Sequence, residues 1–156
     1  MIPFLELQAR VQALLRDSSF FSAWKPDEIL IEEKSSITVR LSEALGKATG
    51  FVIVITTAKG DTPVAVRGRV VLQETITVAI SRSYIYEGPS LLEAVDAAIR
   101  CIHGSWTATD ERTMRDPQNQ FRLVNHEPIA PPEGIDADIH HVTFSAPVTF
   151  RFEDPA

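Results

Sequence analysis

The segment from Ile139 to Phe152 alternates apolar and polar residues almost without a break. Successive strand residues point to opposite faces, so Val142, Phe144, Ala146, Val148, Phe150 and Phe152 share one face, and His141, Thr143, Ser145, Thr149 and Arg151 the other. One face belongs to a core and the other to water. A chain carrying such a strand has to build a sheet with a single buried side and cover that side with another layer. The fold class that follows is α+β: one domain over residues 1–156, with a mixed or mainly antiparallel sheet and two principal helices packed on one face. A chain of 156 residues buries roughly two-thirds of its unfolded surface, enough for one core.

The remaining elements have to complete that sheet and its cover. Pro3, then Phe4, Leu7, Val11 and Leu14 at three- and four-residue spacing, predicts an amphipathic helix ending near Asp17, with Glu6, Gln8, Arg10 and Gln12 on its polar face. Glu28 to Glu32 reads as a short strand, and Ser36 to Leu45 is open between strand and helix. The apolar run Phe51 to Ile55 reads as a central strand buried on both faces. Ala58 to Gly68, with Gly60, Asp61 and Pro63, reads as a long loop leading to a strand over Val70 to Ser81. Glu74 falls in phase with that strand's apolar side, which calls for an exposed strand end or a bulge.

Ser90 followed by Glu93 is a capping box, and Gly104 stops the helix it opens, whose core face is Leu91, Leu92, Val95, Ala98, Ile99 and Ile102. Phe144, Val148 and Phe150 are expected to pack on this helix through Leu92, Val95 and Ile99. Thr107 to Gln120, the patch Phe121 to Val124 and the proline-rich stretch through Pro128, Pro131 and Pro132 read as loops.

The chemistry on offer is sparse. Adjacent His140 and His141 diverge in a strand, and His103 and His126 have no partner at zinc-ligand spacing, so the histidines read as surface or half-buried side chains. Cys101, the one cysteine, reads as a small packed residue. Gly46-Lys47-Ala48 lacks the earlier glycine and the hydroxyl residue of a phosphate loop, and Ser105 lacks the flanking glycines of a nucleophile elbow. Glu32-Glu33 and Asp110-Glu111 read as solvated charges. No catalytic residue, metal ligand or cofactor is expected.

Fifteen basic against twenty-one acidic residues leave a net charge of -6, which disfavours nonspecific binding to a phosphate backbone. One cysteine and an opening without a basic, apolar leader point to a reducing cytoplasm, and no apolar run approaches a membrane span.

The order of these elements, with Thr75-Ile76-Thr77-Val78-Ala79-Ile80 and Val148-Thr149-Phe150-Arg151-Phe152, resembles the tail terminator and minor tail proteins of long-tailed bacteriophages and prophages. That resemblance implies a structural, non-enzymatic subunit of a hexameric ring closing the end of a tail tube. It implies contacts with tail-tube and head-completion proteins, DNA passing through the lumen without specific binding, and a location in the host cytoplasm during assembly and then in the virion tail. Lys59, Asp61, Arg67 and Arg69 are the candidate intersubunit or tail-facing residues, on the loop they were read into. The same residues leave open a second class, a small-ligand-binding domain or an enzyme of unrecognised type.

Overall fold

A computed structural model describes residues 3–32, 37–66 and 68–151, with residues 58–66 described through their backbone alone. Pro3 opens helix α1 (Pro3–Asp17), which buries Leu7, Val11 and Leu15 along one stripe. The short α2 (Ser19–Ala23) brings Phe20 and Phe21 against Phe51, with ring centroids 6.2 and 6.4 Å away. Strand β1 (Glu28–Ile31), helix α3 (Ile37–Lys47), the long strands β2 (Phe51–Val66) and β3 (Arg69–Ser83) and helix α4 (Leu91–Ile102) follow. A single 3₁₀ turn (Thr113–Arg115), β4 (Arg122–Ile129) and β5 (Ala137–Arg151) complete the order.

The strands form one mixed sheet in the order β1-β2-β3-β5-β4, with β1 parallel to β2 and every other pair antiparallel. Helices α1 and α4 cover one face, where Ile53, Ile55, Ile76, Ile80, Val142 and Phe144 are fully buried. The expected α+β architecture is the one observed. Phe51 to Ile55 is buried throughout, as the apolar run required. Its alternate residues Val52 and Val54, with Leu30, lie under α3, which packs on β1 and β2. The ambiguous stretch at Ser36 to Leu45 is therefore a helix from Ile37 onward, because it has to shield this second apolar patch.

Strand lengths divide the molecule. β3 and β5 pair over their whole length, Arg69 with Arg151 at one end and Ser83 with Ala137 at the other. β1 reaches only to Ile31 opposite Ile55, and β4 joins β5 only from Ser145 back to Ile139. The end where β2 begins, here called proximal, is five strands wide; among the described residues the distal end has β2, β3 and β5 alone.

Several expectations are corrected. Ala58 to Val66 is strand, not loop: β2 pairs with β3 out to Val66 opposite Arg69, and Gly68, just before β3, sits at φ 79. Register shifts between Thr57 and Lys59 and between Asp61 and Val64 absorb Ala58, Thr62 and Pro63, so turn-forming residues sit in irregularities of a strand. Residues 122–129 are likewise strand; Pro128 is tolerated because β4 is the sheet's edge.

Glu74 is 4% exposed and stays in phase on the core face, neither at an exposed end nor on a bulge of its own strand. Gln8 is 1% exposed, not on a polar face: its amide donates to Thr57 Oγ1 (2.9 Å) and Glu32 Oε1 (3.2 Å) and accepts from the Glu32 N–H (2.9 Å). Leu92 is 65% exposed and takes no part in the core, where Ala94 stands in its place. Phe150 is half-buried and meets Phe4 of α1, ring centroids 5.4 Å apart. Phe152 lies outside the described residues.

The capping box is present as read: Ser90 Oγ accepts from the Glu93 N–H and the Glu93 carboxylate accepts from the Ser90 N–H. Gly104 follows the helix at φ 80.

Candidate functional site

The sheet face turned away from α1 and α4 is covered by α3 only over β1 and β2. Beyond that cover, cross-strand neighbours run Thr75 with Ser145, Thr77 with Thr143 and Ala79 with His141, and β4 adds Asn125 opposite Thr143. These β3 and β5 side chains are half-exposed. The surface is a floor of short hydroxyl and small side chains, flanked by the exposed Arg122 of β4, which stands opposite Ser145.

That distal end is differently made. Before β4 begins, the chain peels away from β5 at Phe121, whose ring is fully buried, and pairs instead with Trp106 and Ser105: Gln120 bridges Trp106, and the Phe121 N–H donates to the Ser105 carbonyl at 3.0 Å. His103 reinforces the departure by accepting the Leu123 N–H on Nδ1 at 2.9 Å. Along β5 beyond Ser145 this leaves a strand edge without a neighbour among the described residues. A groove of about 980 Å³ lies there, bounded by α1, the loop from Thr107 to Asn119, and the ends of β3 and β5. Pro147 lies on this stretch, as a residue without an N–H can at a free edge.

Arg10, Arg69, Arg112 and Arg151 line the groove, together with the carboxylates Glu6, Asp110 and Asp116. Arg10 donates through Nε to the Trp106 carbonyl at 3.0 Å and so ties α1 to the loop. Asp110 holds the loop's own turn, accepting the Thr113 N–H (2.9 Å) and hydroxyl (2.6 Å), bonds that pull its carboxyl below the usual range. Arg69 and Arg151 are directly opposite one another across β3 and β5, both exposed, and neither forms an ion pair among the described residues. Like charges in facing register disfavour the pairing that holds them.

Of the four residues singled out from the sequence, Arg69 reaches this groove. Lys59 and Asp61 fall on β2, in register with Thr75 and Gln73, and Arg67 lies outside the described residues. Sequence reasoning missed Arg151 as a partner of Arg69. The signal available was its place at the end of the alternating strand, but only the β3–β5 register tells which residue it meets.

The histidines also hold something the spacing did not show. His140 is buried, and its Nε2 lies 2.9 Å from Nδ1 of His126 on the neighbouring strand, the rings stacked at 5.1 Å. Burial, and then the neighbouring His126 and His141, hold His140 below the ordinary imidazole value, against the opposite pull of Glu127. The contact is a pair; among the described residues no three His, Cys, Asp or Glu side chains converge as metal ligands would. Burial pushes the Cys101 thiol up to about 11, which leaves it protonated at neutral pH and a poor nucleophile. No helix among the described residues is long and apolar enough to cross a membrane.

No protein-family model matches the chain, and no curated protein matches it. Among solved structures it is similar to a chain of the virion of a native gene transfer agent particle, at 13% identity over 92% of this chain and 95% of that one, with a TM-score of 0.49.

Proposed function

We propose that this chain is a structural subunit of a long-tailed phage or prophage particle, of the tail-terminator or completion type, and that it acts as a ring at the end of a tail tube. The observation that carries the reading is the long three-stranded distal sheet. β2, β3 and β5 run 16, 15 and 15 residues, beyond the roughly 3–10 usual in globular proteins. They continue past the strands that flank them proximally, and they present an uncovered hydroxyl-rich face and an open edge. These extensions bury Ala146 and Val148 on one face only; a subunit that completes the other face and the edge with neighbours gains an interface.

The hydroxyl floor suits a channel wall. Its short neutral side chains, Thr75, Thr77, Thr143 and Ser145, add no cations of their own for a passing phosphate backbone to release its counterions against. Tail-tube and head-completion proteins are the partners on this reading, and the place of action is the host cytoplasm during assembly and then the virion tail.

Electron microscopy of the purified chain and of particles produced without it tests this. Closed rings, and an accumulation of unjoined heads and tails when the chain is missing, are expected. A chain that stays monomeric at every concentration, together with normal particles in its absence, would refute it.

A further inference from the structure

Two sets of charges at the opposite ends of β5 cannot meet within one molecule. At the distal end, Arg69 and Arg151 face each other beside the groove along the open strand edge. At the proximal end, β5 is entered through a turn in which the Ile135 N–H donates to the Pro132 carbonyl at 3.1 Å and Gly134 sits at φ 84, the left-handed position of a type II turn. Glu133 and Asp136 are exposed on this tip, and neither forms an ion pair among the described residues. Fifteen strand residues separate the two ends, roughly 50 Å at the rise of a β-strand.

We propose that the acidic β4–β5 tip of one copy docks in the arginine-lined groove of the next, in a head-to-tail contact between copies of this chain. The inference rests on the ring reading, and it names the two surfaces that the ring joins.

Four observations converge on this occupant. The two patches lie at opposite ends of the subunit, so a contact between them would be heterologous, the kind of interface from which rings are built. The charges are complementary, and bringing a carboxylate between Arg69 and Arg151 relieves a repulsion that the isolated subunit bears. The tip is stiffened in advance: Pro131 and Pro132 precede the turn, and the Tyr84 N–H holds the Asp136 carbonyl at 3.1 Å, so little freedom is lost on docking. The groove is also prepared, since Arg10 and Asp110 are spent on fixing its walls and leave Arg69 and Arg151 for a visitor.

The test is sedimentation velocity, with electron microscopy of the same samples, on wild type, the pair Arg69→Glu/Arg151→Glu, the pair Glu133→Lys/Asp136→Lys, and all four changes together. All four sites are exposed, and thermal unfolding checks that each variant folds. The proposal expects wild-type self-association that weakens with salt, weakening of about tenfold or more in either pair, and recovery in the quadruple variant.

Rings that form equally well in both pairs would overturn the docking and leave the ring reading standing. Salt-dependent association that follows the charge swap without closing into rings would keep the docking and sink the ring. A wild type that never self-associates would remove both. If the arginine pair self-associates normally yet fails to join tails, the groove belongs to a different acidic partner and the proposal is wrong.

Discussion

The two halves of β5 carry the same alternating pattern in different surroundings. From Ile139 to Ser145 the strand lies between β3 and β4, and Val142 and Phe144 are fully buried beneath the helices. From Ala146 to Arg151 it keeps β3 but loses β4, and Phe150 is half-buried against Phe4. Alternation reports the phase of a strand; it does not report how many neighbours the strand has. The proximal half is core flanked by strands on both sides, whereas the distal half buries Ala146 and Val148 on one face but leaves an open edge and a half-buried Phe150, and the difference comes from where β1 and β4 stop.

The sharpest way to break this comparison is to truncate one aromatic ring in each half. Phe144→Ala should lose about 3–5 kcal/mol in chemical unfolding, because a fully buried ring leaves a cavity. Phe150→Ala should lose clearly less, since water already reaches its ring and can fill the space it leaves. Equal losses would mean that the distal half is as much a core as the proximal one.

Next in size is the junction between the halves, where Gln8 ties α1 to Thr57 and to the residue that follows β1, Glu32. Gln8→Ala should cost about 1–3 kcal/mol by leaving the Glu32 N–H and the Thr57 hydroxyl without their partner. Gln8→Glu tests the same point differently, because a carboxylate can accept from the Glu32 N–H but brings a second negative charge beside the Glu32 side chain.

A smaller effect of opposite sign is expected at the distal end. Arg151→Glu alone replaces a facing like-charge pair with a carboxylate opposite the Arg69 guanidinium, and should raise the stability of the isolated subunit by about 0.2–1 kcal/mol. The same change should weaken self-association. A variant more stable alone and poorer in assembly would mark the arginine pair as kept for something outside the subunit, while a loss of stability would show that the pair is held by contacts within it.

The smallest effect belongs to the proximal edge and depends on pH. His140 sits below the ordinary imidazole value in the folded chain, so the unfolded chain takes up its proton first as pH falls. The stability this group contributes is present above about 6.5, is lost as pH drops from there toward the folded-state value, and changes no further below it. His140→Gln should flatten that part of the stability profile in urea titrations at a series of pH values. A wild-type profile already flat between pH 7 and 5 would remove the histidine pair from the account.

The sequence was most readable where a pattern is local. The capping box at Ser90 and Glu93, the first helix from Pro3 and the phase of the last strand depend on residues within a few positions of one another, and each is present. It was least readable where the answer lies across the sheet. Gly60, Asp61 and Pro63 carry turn chemistry, yet the ladder to β3 keeps them in a strand and confines the irregularity to two register shifts. Gln8 reads as polar and therefore outward, until Thr57 and Glu32 arrive from 49 and 24 residues away to satisfy it.

The candidate site follows the same rule. Arg69 could be picked out, but its meeting with Arg151 and the groove beside them depend on a register and on the early departure of the chain at Phe121, neither of which leaves a local mark.

Hydrogen exchange along β5, in the isolated subunit and in assembled rings, tests the central claim most directly. The account predicts that amides of Val148 to Arg151 exchange faster than those of Ile139 to Phe144 in the isolated chain, and that they become protected when rings form while the proximal segment hardly changes. Uniform protection of β5 in the subunit, or an exchange pattern that assembly leaves untouched, would contradict the division of the molecule into a finished half and an unfinished one.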